Sequence, residues 1–289
     1  MMSNLLIRFR VLGFASVLWI LGGSVAEAGL LMAGGILTNE FDGTDRFLRR
    51  YSFDGQMTDE LQLTFDDVYG PGFSMAVVGS RVFVATGGFG GLNGGRNILE
   101  VDTNSGLASF AFAHGGALDP TPRLTAIGSN LLISTKQSGT ANLQEYTAAG
   151  AFVGFYAVPD VFPYRNAEDV AYANGEISLW GNANTGADPI GFFEAKQDLE
   201  LDRSFTPPIS ASLFDIDEMS GDLWIMQGRR NFLRGREGEG FEGRFLSRSN
   251  VQGFAVLTTA VPEPGTFTLL LSGLPFVAVV LWRRSARRA

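Results

Sequence analysis

The sequence predicts an all-β body built from a repeated unit of about 47 residues. Three observations predict it. Short apolar runs alternate with turn signals along a chain of 289 residues that holds 37 glycines. No convincing helical period occurs between residues 29 and 260. Four segments also align with one another: residues 79–86 (GSRVFVAT), 128–135 (GSNLLIST), 174–180 (NGEISLW) and 220–226 (SGDLWIM). Their matched positions, Val82, Leu131, Ile177 and Leu223, are spaced by 49, 46 and 46 residues. Self-similarity at such a period marks a stacked repeat architecture.

The elements follow in chain order. Arg8 and Arg10 form a positive leader and residues 11–25 an apolar run. Ala26, Glu27 and Ala28 form a small-residue cleavage site. Residues 1–28 therefore read as a signal peptide, with a mature start at Gly29. The exported body spans 29–260, and a terminal segment spans 261–289.

Within the body, each unit offers four β-rich runs. A first run (73–78, 123–127, 168–173 and 213–217) precedes the matched strand. A later run follows a loop (46–51, 98–102, 142–146, 190–195 and 244–248). A last run follows a polar turn (61–65, 108–112, 152–157, 201–205 and 254–257). A weaker copy begins near Leu30, which makes five units, the first lacking its innermost strand. Four short strands per unit predict a β-propeller of about five four-stranded blades. The rival is a β-sandwich or jelly roll, which the period disfavours. The repeat resembles the generic blade of six-bladed and NHL-like propellers, and that resemblance concerns architecture only.

Composition limits the chemistry. The chain has no cysteine and a single histidine, His114. Cysteine nucleophiles, thiolate metal sites, disulfides and multi-histidine zinc sites are excluded. Without the end segments, the body keeps 16 basic and 28 acidic residues, a net charge of −12. Such a field repels nucleic acid and anionic lipid.

Several motifs read as ordinary structure. The glycine-rich stretch 87–96 has no Walker pattern and reads as a hairpin loop. Asp102, Thr103, Asn104, Ser105 and Gly106 imitate the start of an EF-hand, but Ala113 stands where its glutamate belongs, so a turn is expected. Trp180 and Trp224 read as packing residues. Residues 228–243 carry a basic cluster that reads as a solvated loop, or as a polyanion or partner contact.

The candidate site comes from register. Counting back eight residues from the matched positions gives Ser74, Arg123, Asp169 and Asp215. On innermost strands these would share one height around an axis, near Glu168, Asp217 and Glu218. Carboxylates so placed can bind Ca²⁺ or divide into acid and base, although no cofactor is required. They can equally satisfy strand ends and loop amides.

The terminal segment has three parts. Pro262, Glu263 and Pro264 form an extended, donor-poor stretch. Residues 267–282 are an apolar run of about 24 Å as a helix, short of a ~30 Å hydrocarbon core. Arg283, Arg284, Arg287 and Arg288 supply a basic stop. This order resembles the PEP-CTERM sorting signal of Gram-negative bacteria. The resemblance implies recognition by an exosortase. It implies a precursor anchored in the inner membrane through 267–282, then a cell-surface or extracellular protein beside exopolysaccharide. The expected function is a non-enzymatic structural or binding component of the envelope or polysaccharide matrix. The alternative is a propeller hydrolase or lyase, Ca²⁺-assisted, acting on lactone or polysaccharide through Ser74, Arg123, Asp169 and Asp215.

Overall fold

A computed structural model describes residues 29–31, 34–65, 72–87, 96–115, 122–137, 140–158, 169–181, 188–207 and 213–258. Among the described residues, every element after a short 3-10 turn at Gly29–Leu31 is a strand. The first seven are β1 (Gly35–Phe41), β2 (Arg46–Ser52), β3 (Met57–Phe65), β4 (Gly72–Val78), β5 (Arg81–Thr86), β6 (Asn97–Val101) and β7 (Leu107–Ala113). Next come β8 (Arg123–Ile127), β9 (Asn130–Gln137), β10 (Thr140–Thr147) and β11 (Phe152–Tyr156). They are followed by β12 (Asp169–Ala173), β13 (Glu176–Trp180), β14 (Ile190–Glu194) and β15 (Leu201–Phe205). The last five are β16 (Leu213–Ile216), β17 (Leu223–Gln227), β18 (Asn231–Gly235), β19 (Phe241–Leu246) and β20 (Asn250–Leu257).

The all-β class holds, and its arrangement corrects the expectation of a propeller of five separate four-stranded blades. Eight strands form one sheet in the order β20-β1-β2-β3-β7-β6-β5-β4. Its halves join where β3 runs parallel to β7, pairing Thr64 with Leu107 and Phe65 with Ala108. Its end strands, β20 and β4, lie against each other, so the sheet is nearly closed. The other twelve strands form three four-stranded sheets, β8–β11, β12–β15 and β16–β19.

Three further expectations are corrected. The weak copy near Leu30 is the 3-10 turn rather than a strand. Residues 228–243 are not a loop, because they contain β18 and the start of β19. Residues 254–257 do not end a fifth unit. They belong to β20, which pairs along all seven residues of β1.

The apolar runs are strands because both of their faces are buried. In β5, Val82 and Val84 enter one core while Phe83 and Ala85 enter another. In β17, Leu223 and Ile225 face one core, and Trp224 and Met226 the next. A strand covered on both sides reads as a continuous apolar run without alternation. Each such side chain contributes roughly 1.5–3 kcal/mol on burial. Trp180 and Trp224 are packing residues: Trp180 lies 5.7 Å from the Phe214 ring and Trp224 stacks at 5.3 Å on Phe53.

The turns follow from local chemistry. β12 and β13 are joined by Asn174 and Gly175, with φ of 54° and 85°. Two left-handed residues form the primed turn that matches strand twist, and Asn-Gly is its preferred sequence. In the three four-stranded sheets the pair that ends on β11, β15 or β19 carries a register shift, for example between Glu145 and Tyr146 in β10. Such bulges twist an outer edge away from flat pairing.

The first and last strands share a buried polar clasp. Glu40, fully buried, accepts hydrogen bonds from Thr38 Oγ1 and Tyr51 OH on one oxygen, both at 2.8 Å. Its other oxygen accepts from Arg49 at 2.7 Å, Ser249 N at 2.7 Å and Ser249 Oγ at 2.9 Å. Arg49 also bonds Glu60 at 2.6 Å. Burial raises the Tyr51 phenol above its usual range. A buried carboxylate is tolerable only when its lone pairs are satisfied in this way.

Candidate functional site

Strands β4, β8, β12, β16 and β20 stand at the inner side of the fold, each in contact with its neighbours in a closed ring. They surround a cavity of about 210 Å³. Ser74, Thr125, Asp169, Tyr172, Asp215 and Glu218 are among the polar residues that line it.

The hydrogen bonds of this ring share a pattern. The Ser74 hydroxyl accepts from Leu124 N on the next strand, at 3.0 Å. Asp169 Oδ2 accepts from Phe214 N at 2.9 Å. Asp215 Oδ2 accepts from Val256 N at 2.8 Å, while its Oδ1 takes Ile216 N at 2.9 Å. In each case a side chain on one inner strand holds the backbone of the next. Adjacent inner strands are not paired in a ladder here, so their N–H groups need another acceptor. These side chains supply it.

Strand register separates the four predicted residues. Ser74 pairs with Ala85, Arg123 with Ser134 and Asp169 with Trp180. Each lies three residues before the partner of its matched position. Asp215 lies only one residue before, because Leu223 pairs with Ile216. Around the turn at residues 217–222, Leu223 and its partner Ile216 are seven positions apart, against five for the other three matched pairs, which adds two residues to the count. Asp217 builds it, accepting from Met219 N at 2.9 Å and from Ser220 Oγ at 2.9 Å. Leu213 therefore shares the register of Asp169, and Asp215 sits two residues further along. Arg123 Nε is 4.0 Å from Asp169 Oδ1. Ser74, Asp169 and Asp215 line the cavity together, and Glu168 lies outside the described residues.

The electrostatics centre on Asp215. Burial pushes its carboxyl up to about 7, and the Asp169 and Glu218 carboxylates add to the effect. Its two backbone hydrogen bonds oppose the shift but do not cancel it. Glu218, exposed at the cavity, is raised as well, first by desolvation and then by Asp217. Sequence reasoning missed Tyr172 and Thr125 on the cavity wall. Their signal was positional, since both lie on first strands of the repeat.

The remaining candidates resolve into structure. His114 is buried, and burial pushes its imidazole down to about 4. Asp102 caps a turn, accepting from Asn104 N at 2.9 Å and Ser105 Oγ at 2.7 Å. In the basic cluster, Arg234 and Arg236 both bind Asp222, and Arg230 donates to Ser247 O at 2.8 Å. Among the described residues, no group of three or more histidines and carboxylates is placed to hold a metal ion.

Comparison with known proteins supplies fold likeness only. The chain is similar to a chain in the crystal structure of a Nidogen/Laminin complex, at 10% identity and a TM-score of 0.50, over 78% of this chain and 85% of that one. It is also similar to the computationally designed Ika4 protein, at 11% identity and a TM-score of 0.37, over 66% and 100%. The designed Ika8 protein gives 12% identity and a TM-score of 0.40, over 74% and 63%. No protein-family model and no curated protein matches the chain.

The expected arrangement of a propeller body with a PEP-CTERM segment is corrected: the described residues form one nearly closed eight-stranded sheet and three separate four-stranded sheets. Pro262, Glu263, Pro264, the run 267–282 and Arg283, Arg284, Arg287 and Arg288 lie outside the described residues, as do Ala26 and Ala28. Among the described residues, no helix is long and apolar enough to cross a membrane. Both functional expectations are corrected too. The exosortase-sorted structural or binding propeller and the propeller hydrolase or lyase each assumed a propeller body, and the sheets are joined differently.

Proposed function

We propose that this chain is an exported binding protein whose inner cavity holds a small alkylamine. Export is supported by the leader pattern of residues 1–28. The observation that carries the ligand class is the convergence of Asp169, Asp215 and Glu218 on one cavity. Each Asp215 oxygen that accepts a backbone N–H has a second lone pair that a ligand donor can meet. A bound ammonium would relieve the repulsion that raises Asp215, because an opposite charge favours the ionised carboxylate. Tyr172 and Phe254 on the walls suit a short alkyl chain. The acidic body steers cations inward and disfavours nucleic acid.

The test is thermal unfolding with n-butylamine, 1,4-diaminobutane and 1-butanol at pH 8, where Asp215 is ionised. The amines should raise Tm, by about 2.7 kcal/mol of stabilisation at a hundredfold excess over Kd. Glu218→Gln should weaken the effect. Equal response to amine and alcohol, or none to amine, refutes the reading.

A further inference from the structure

One buried polar side chain on the inner strands holds no neighbouring backbone. Ser74 accepts from Leu124 N, Asp169 from Phe214 N and Asp215 from Val256 N, each on the next strand. Thr125, on β8, lines the same cavity and is only 9% exposed. Among the described residues, its hydroxyl makes no hydrogen bond.

Thr125 also stands level with Asp215. Ala76, Thr125, Ala171 and Asp215 each lie one residue before the partner of a matched position. The ring contacts fix these heights. Ser74 meets Leu124 and Asp169 meets Phe214, in each case one residue beyond the register equivalent. Ala76 and Ala171 offer no polar group. Thr125 and Asp215 therefore supply the polar side chains of these four, on strands that flank β12 from either side.

Building on the alkylamine reading, we infer that the ligand is a short amino alcohol, whose hydroxyl bonds Thr125 while its ammonium lies at Asp215. A buried hydroxyl without a partner is costly, so Thr125 calls for a polar atom in the cavity. A ligand hydroxyl both donates and accepts, as Thr125 does, so the two can bond in either direction. A ligand carboxylate would be repelled by Asp169, Asp215 and Glu218, which line the same cavity. A second ammonium would be drawn to the Glu218 carboxylate and would leave Thr125 unmet.

The test compares ligands of equal shape. A site that bonds a ligand hydroxyl rejects the analogue that lacks it. Isothermal titration calorimetry on the full-length chain at pH 8 would pair 2-aminoethanol with n-propylamine, 3-amino-1-propanol with n-butylamine, and 4-amino-1-butanol with n-pentylamine. The best amino alcohol should bind about tenfold more tightly than its methyl-ended counterpart. Thr125→Val keeps the branched shape and should erase the difference by weakening the amino alcohol alone. Thr125→Ser should restore it. Asp215→Asn should weaken both members of a pair together. Equal affinity within every pair on the unaltered chain would overturn the amino-alcohol proposal and leave the alkylamine reading standing. A loss shared by both ligands in Thr125→Val would also overturn it, because Thr125 would then meet the ammonium. Binding of no amine at all would overturn both.

Discussion

Glu40 and Ser249 lie 209 positions apart in the chain, yet the Ser249 amide reaches the Glu40 carboxylate at 2.7 Å. The contact ties the first strand to the segment that leads into the last one. It is one part of a closure that also includes the full-length pairing of β1 with β20.

The clasp is sensitive to losing one partner. Arg49→Met leaves Glu40 buried without its cation. Breaking a buried pair in this way costs about 3–5 kcal/mol. Urea unfolding should show that loss. The pair replacement Glu40→Leu with Arg49→Met should be milder than Arg49→Met alone.

Asp215 sets a pH dependence with a definite sign. Its folded value is raised to about 7, above the ordinary carboxylate value. The folded state therefore holds the proton more tightly than the unfolded state. Stability from this group is fully present below about pH 4 and is lost as pH rises to 7. The loss amounts to a few kcal/mol, about 1.4 kcal/mol for every tenfold fall in proton concentration across that window. Asp215→Asn should flatten the profile between pH 4 and 7. An unchanged slope would place the titration elsewhere.

Gly253 should not tolerate a side chain. A Cβ there would stand 2.9 Å from Met75 N and 2.9 Å from Ser74 Cα. This is where β20 packs on the backbone of β4. Gly253→Ala should lower Tm by several degrees, since overpacking costs about 1–3 kcal/mol.

Leu223→Asp places a carboxylate in the core shared with Trp180 and Phe214. Burying an unpaired charge costs enough to consume most of a stability of roughly 5–15 kcal/mol. Circular dichroism should show an unfolded body at room temperature.

Much of the strand pattern was legible because β5, β9, β13 and β17 are buried on both faces. Val82, Leu131, Ile177 and Leu223 are all within 2% of full burial. β1 was hidden because it buries Thr38, Asn39 and Glu40, which read as polar until the clasp is seen. β18 was hidden by Arg234, whose charge is answered by Asp222 twelve positions earlier. β20 was misassigned because its partner β1 lies some 215 residues upstream, beyond the reach of a local period. At the cavity, residue spacing located Ser74 and Asp169 at one register. It misplaced Asp215, because a longer turn shifts the count without altering the apolar pattern.

The pairing of β1 with β20 also dictates an order of events during synthesis. β1 is among the first parts of the body to leave the ribosome, and its partner is among the last. Until residue 257 emerges, the edge that β20 will occupy stands open, and Glu40 waits for Ser249. Contacts of such long separation form slowly. An open edge during that delay is exposed to pairing with other chains. Gly34 N and Leu257 O finish 2.8 Å apart. A circular permutant that joins these two points and opens the chain in a surface turn would make the late contact a local hairpin, and should fold faster with less aggregation.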